Sequence, residues 1–164
     1  RTKLSLDLSP YTIPTNKDHR MAEDDIINYE IVYESPWGYW LEMTSVFSFK
    51  PLPSDVQAML DGYLLAVENS AQVAKAGNTF RMIADSNDQT LRDLGFEVVG
   101  KHTPDCPSNP DFVLKPNMIL SYHPGTILAN DRGFLISDNF LVTTEGAVRL
   151  SPHTASRYYM RLEA

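Results

Sequence analysis

Five polar residues at four places interrupt apolar runs in this sequence, and their types could do chemistry. Glu30 lies inside Ile26-Ile27-Asn28-Tyr29-Glu30-Ile31-Val32, and Glu42 inside Gly38-Tyr39-Trp40-Leu41-Glu42-Met43. His123 closes Met118-Ile119-Leu120-Ser121-Tyr122-His123, and Ser137-Asp138 follows Phe134-Leu135-Ile136. Carboxylates paired with an imidazole can hold a divalent ion or orient an acid–base group, and an imidazole exchanges protons near neutral pH. Beside this stands a plainer reading, in which each residue faces solvent from an alternating strand. Only convergence of the side chains favours the chemical reading over the plain one. Cys106 sits in the Pro-rich loop Thr103–Pro110 with only Lys101 and His102 as basic neighbours. A reactive thiol needs an electropositive setting, so Cys106 reads as structural or incidental. The sequence contains no phosphate-cradling glycine loop, no Cys–His finger spacing, no paired helical histidines and no nucleophile elbow.

The elements that must position these residues follow from periodicity. β-branched and aromatic residues dominate Ile26–Phe49, broken by Ser35-Pro36-Trp37-Gly38, which predicts strands Ile26–Glu34 and Tyr39–Phe49 around a turn. Trp37 and Trp40 bracket that corner and are expected to cover a sheet end. The period then changes to that of a helix. Ser54 and Gln57 form a capping-box signal, and Val56, Met59, Leu60, Tyr63, Leu64, Val67, Ala71 and Ala74 share one face before Gly77. A second helix starts at Asn78 or Thr79, buries Phe80, Ile83, Ala84, Leu91 and Leu94, and stops at Gly95. Short strands are expected at Phe96–Gly100, Met118–His123, Gly133–Ile136, Asn139–Thr143 and Val148–Leu150, while Arg1–Asp18 reads as strand fragments and loop. Strands, two helices, then strands again is an α+β arrangement with helices on one face of a largely antiparallel sheet.

Composition bounds the function. The 164 residues suit a single domain, and 43% apolar with 21% charged residues excludes a disordered or low-complexity chain. Lys and Arg number 14 against 21 Asp and Glu, a formal charge of −7 with no basic cluster, which disfavours nucleic acid. No apolar run reaches roughly 18 residues, the length a membrane-spanning helix requires. One cysteine cannot pair within the chain, so a reducing, cytoplasmic setting is expected. The first residue is Arg1, with no charged-then-apolar leader, which reads as a fragment, a processed product or part of something longer.

The order of these motifs resembles the creatinase/aminopeptidase superfamily, the pita-bread fold of methionine aminopeptidases, prolidases, Xaa-Pro aminopeptidases and creatinase. Leu114–Gly125 is similar to that family's L-x-x-G-M-V-x-x-x-E-P-G, and Gly133–Gly146 to its G-x-R-I-E-D-x-x-x-V-T-x-x-G. Asp25–Glu30 parallels G-D-x-V-x-x-D, Gly38–Ser45 parallels G-Y-x-x-D-x-T-R, and Lys75-Ala76-Gly77 with the next helix matches the K-P-G helix pair. The resemblance covers Asp25–Pro152. It implies a curved, largely antiparallel sheet, but one lacking the helix pair that precedes the first strands in the family.

The resemblance also implies a site, and an altered one. The family's metallopeptidases hold two metal ions on two aspartates, a histidine and two glutamates. At those positions stand Glu30, Glu42, the displaced remnant His102, His123 and Ser137. Two carboxylates cannot balance two divalent ions, so no dinuclear site is expected; a single ion would fall to Glu30, Glu42 and His123. His19 matches a histidine that contacts substrate in the peptidases and serves as the acid–base group in creatinase, which works without metal. The implied catalytic set is therefore His19, Glu30, Glu42 and His123, with His102, Ser137 and Tyr39 contacting substrate. The first expectation is metal-independent hydrolysis of a C–N bond in a small polar compound. The alternative is an inactive pseudo-peptidase domain that binds a peptide or protein, and third is a metallopeptidase of the Xaa-Pro type. A partly bare sheet face further predicts a covering partner: a second copy in a homo-oligomer, another chain or a missing N-terminal segment.

Overall fold

The computed structural model describes residues 2–5, 20–101, 109–122, 126–128, 133–150 and 159–162. Strand β1 (Thr2–Ser5) pairs antiparallel with β2 (Ile26–Glu34), and β2 pairs antiparallel with β3 (Trp40–Ser48) from Ile26↔Ser48 to Glu34↔Trp40. Nine unbroken pairs follow from the β-branched and aromatic content of both runs. The turn between them is closed by its own hydrogen bonds. The Ser35 N–H donates to the Tyr39 carbonyl (2.7 Å), the Gly38 N–H to the Ser35 carbonyl (2.9 Å), and the Tyr39 N–H to Ser35 Oγ (3.0 Å). Gly38 takes a φ of +82°, where a side chain would be strained. The two indoles at this corner do not cover the sheet, contrary to expectation: Trp37 is 82% exposed and Trp40 63%.

Helix α1 (Ser54–Val73) carries the apolar stripe that the sequence predicts, with Val56, Met59, Leu60, Tyr63, Val67 and Ala71 buried. Its capping box does not form. The helix already includes Ser54, Pro53 is the cap residue, and Gln57 instead donates to Asp61 Oδ1 (2.8 Å). Helix α2 (Phe80–Asp93) is capped by Thr79, whose hydroxyl accepts from the Met82 N–H (3.4 Å). Gly95 closes it at φ +86°. Its buried face departs from the prediction: Leu94 is 48% exposed, while Asn87, Asp88 and Thr90 are buried beside Ile83 and Leu91.

The remaining strands are short. They are β4 (Val98–Lys101), β5 (Ile119–Tyr122), β6 (Thr126–Leu128), β7 (Asp138–Val142), β8 (Ala147–Arg149) and β9 (Tyr159–Arg161). β5–β7 and β7–β8 pair antiparallel, as do β4 and β6, while β9 runs parallel to β3. β6 and β9 were not legible in the sequence pattern. The strand expected at Gly133–Ile136 does not form either. That segment is deeply buried, but its main chain bonds to side chains of the hairpin. Its Phe134 and Ile136 join Val46, Leu60, Tyr63, Val67, Leu91 and Phe140 in the core, with Phe134 packed edge-on against Tyr63 at 6.4 Å between ring centroids. The arrangement is α+β, as the sequence indicates. Among the described residues no helix is long and apolar enough to cross a membrane.

Candidate functional site

Strand alternation decides which hairpin side chains can act together. In the observed register Glu30 lies opposite Thr44, Val32 opposite Glu42 and Asn28 opposite Val46. Glu30 and Glu42 therefore share one face as diagonal neighbours, a placement that sets their backbones about 7–8 Å apart. This inner face turns toward residues 133–139 and is closed at its deep end. Glu30 and Ser137 are fully buried, Thr44 is 1% exposed, and Glu42 is half-buried nearer the turn. The plain reading, with each polar residue facing solvent, thus fails for Glu30, Ser137 and Asp138.

Three side chains fasten the chain to this face. Asn28 makes a reciprocal pair with the main chain of Leu135, accepting from its N–H at 2.7 Å and donating to its carbonyl at 3.1 Å. Asn139 does the same for Glu42, donating to the carbonyl (2.8 Å) and accepting from the N–H (3.1 Å). Thr44 Oγ1 accepts from the Ser137 N–H at 2.7 Å. Ser121, on β5, donates to the Glu42 carboxylate at 3.3 Å. The Ser137 hydroxyl is buried and, among the described residues, has no hydrogen-bond partner. Such a group costs on the order of 1–3 kcal/mol unless something fills the position beside it.

Asp138 belongs to a different arrangement. Its buried carboxylate accepts from Arg149 Nε at 2.6 Å, and Arg149 also pairs with Glu68 of α1 while stacking 5.3 Å from the Phe140 ring. That ion pair ties β7 and β8 to the helix layer. Tyr122, next to Ser121 on β5, joins both hydrophobic clusters. Burial raises its phenol above the ordinary range, nearby Asp88 adds to the rise, and Ser70 opposes it.

The structure places Glu30 and Glu42 on one hairpin face and fastens the Ser137 main chain to that face through Thr44. Tyr39 stands at the turn, 51% exposed, with its amide on Ser35. His19, His102 and His123 lie outside the described residues. Asn28, Thr44, Ser121, Asn139 and Arg149 were missed by sequence reasoning. Period-two alternation around Glu30 and Glu42 would have found Asn28 and Thr44, but nothing local marks the other three.

Among the described residues, no group of three or more His, Cys, Asp or Glu side chains gathers as metal ligands do. The hairpin face carries three carboxylates, Glu30, Glu42 and, at its exposed turn end, Glu34, and Asp138 is committed to Arg149. A pair of divalent ions held close together needs more negative charge than this, so these residues do not fit a dinuclear centre.

Comparison with known proteins gives the frame its context. The family model for metallopeptidase family M24 matches residues 7–144. Among solved structures, the dipeptidase from Pyrococcus horikoshii OT3 superposes with a TM-score of 0.76 at 15% identity, covering 98% of this chain and 48% of that one. The X-Pro aminopeptidase from Thermotoga maritima MSB8 gives 0.76 at 17% identity, with the same 98% and 48%. The prolidase from Pyrococcus furiosus gives 0.73 at 19%, covering 93% and 49%. GlcNAc-binding protein A from Vibrio cholerae serotype O1 is 34% identical over 122 residues, spanning 68% of this chain and 25% of that protein. The chain thus spans about half the length of these solved structures and a quarter of that curated relative.

Proposed function

The chain belongs to metallopeptidase family M24, and from that premise we propose that it is a binding domain on the pita-bread frame. It takes a small polar molecule or a peptide at the inner face of the hairpin and does not run two-metal hydrolysis. One observation carries this reading. The buried polar groups around Glu30 are spent on holding main chain in place: Asn28 on Leu135, Thr44 on Ser137, Asn139 on Glu42. Groups so committed are positioned to support a fixed surface, and the position where the family resemblance calls for a metal-bridging carboxylate carries a serine hydroxyl. Such a donor set has room for one divalent ion at most, on Glu30 and Glu42. The half-buried Glu42 carboxylate, held by Ser121, is suited to receive the amine of a ligand.

The test uses the dipeptide Ala-Pro with and without added Mn²⁺. Binding by calorimetry without release of free proline is the expected result. Mn²⁺-dependent proline release would overturn the reading. Metal-free release that disappears in His19→Ala would overturn it in favour of creatinase-like C–N hydrolysis.

A further inference from the structure

Two successive rungs of the β5–β7 ladder grip opposite sides of the molecule. In the observed register Ser121 lies opposite Asn139, and Tyr122 opposite Asp138. Side chains of one rung share a face, and those of the next rung point the other way. The Ser121–Asn139 rung turns to the hairpin and holds Glu42 at both ends. Ser121 donates to its carboxylate (3.3 Å), while Asn139 donates to its carbonyl (2.8 Å) and accepts from its N–H (3.1 Å). The Tyr122–Asp138 rung turns to the helix layer. Asp138 accepts from Arg149 Nε (2.6 Å), and Arg149 reaches on to Glu68 of α1. The Tyr122 hydroxyl is buried close to Ser70 of α1 and Asp88 of α2, and its ring packs against both hydrophobic clusters.

We propose that Tyr122 and Asp138 are positioning residues for Glu42: anchored on the helix pair, they fix the rung that aims its carboxylate. The proposal rests on the binding-domain reading for the ligand that Glu42 receives, and on geometry alone for the link. A glutamate side chain turns about several bonds, and holding its carboxylate in one place costs that rotamer freedom. One partner at the main chain and one at the carboxylate remove most of it, provided that both partners sit on the same stiff support. Neighbouring Cα atoms of a strand are about 3.8 Å apart across a planar peptide, so a shift of the Tyr122–Asp138 rung carries the Ser121–Asn139 rung with it. A binding group works only when held within about 0.5 Å of its productive place. Two anchors in the helix layer, one ionic and one packed, supply that constraint. The ionic one also selects a single geometry, where an apolar side chain of similar volume tolerates several.

The experiment compares Ala-Pro with propionyl-proline, which lacks only the amine, by calorimetry, and follows the ligand-free protein by proton–nitrogen NMR. The parent is expected to bind Ala-Pro at least tenfold more tightly, and Glu42→Gln to lose that preference. Asp138→Asn and Tyr122→Leu should each cut the preference threefold or more, while the affinity for propionyl-proline stays within twofold. Both should also move the amide signal of Glu42, bonded to Asn139, and leave that of Tyr39, bonded within the turn. Leu128→Ala truncates the core away from both rungs and should change neither readout. Glu68→Gln, at a half-exposed side chain, keeps the fold if Asp138→Asn does not, and should shift both readouts in the same direction. An unchanged preference or an unmoved Glu42 amide in the folded rung variants overturns the proposal, as does an equal effect of Leu128→Ala. If the parent binds both ligands equally, the amine role of Glu42 falls; if it binds neither, the binding-domain reading falls. In either case the Glu42 amide decides the positioning by itself.

Discussion

Asp138 and Arg149 set the energetic stakes at single residues. Asp138 is 1% exposed and its carboxylate is received by a guanidinium that is itself three-quarters covered. Removing one partner of such a pair leaves the other charge poorly compensated, so Asp138→Asn should cost about 3 kcal/mol, measured by urea denaturation. A loss under about 1 kcal/mol would mean that the pair behaves like a surface contact. Tyr122 gives a pH prediction. Burial holds its phenol above the ordinary value of about 10, with Asp88 reinforcing and Ser70 opposing. The unfolded chain can therefore ionise this group at a pH where the folded chain keeps the proton. Its contribution is fully present below about pH 10 and is lost as pH rises beyond that. Between pH 8 and pH 11 the urea midpoint should fall more in the parent than in Tyr122→Phe; equal falls would contradict the burial argument.

At the level of elements, the most instructive piece is the stretch 133–137. Its apolar content reads as a strand, yet it makes no ladder, because Asn28 and Thr44 reach across from the hairpin to take its main-chain groups. Asn28→Ala removes both bonds of a reciprocal pair and should cost about 2 kcal/mol. The signature is local: the Leu135 amide, and not those of α1, should exchange hydrogen faster. Helix packing follows the simpler rule of buried area. Leu91 is fully buried against α1, so Leu91→Ala should lose about 3 kcal/mol by the same urea measurement. This contrast shows what was legible. The hairpin limits and the stripe on α1 follow from periodicity, since each is set by residues close in sequence. The side-chain clamps join positions 107 and 93 residues apart, and no local pattern records them. β9 escaped for the same reason, as its partner β3 lies more than a hundred residues earlier. Leu94 misled because helical spacing placed it on the apolar face, while α2 ends one residue before it.

For the whole molecule, the family frame was recoverable because several weak motifs occur in the right order, and order is what a fold constrains. The candidate site was recoverable only in part. Glu30 and Glu42 share a hairpin face to which the Ser137 main chain is fastened, but the polar support from Asn28, Thr44 and Asn139 was invisible until register and packing were known. The result is an M24 chain whose centre is braced by its own hydrogen bonds. A centre of that kind should not depend on metal for its stability, since a ligand stabilises the folded state only where it binds. The decisive measurement is the number of Mn²⁺ ions bound per chain at saturation, by calorimetry with elemental analysis after gel filtration. The account predicts one ion or none and a melting temperature that EDTA shifts by less than about 1 °C; two tightly held ions per chain, with a melting temperature that collapses on chelation, would contradict it.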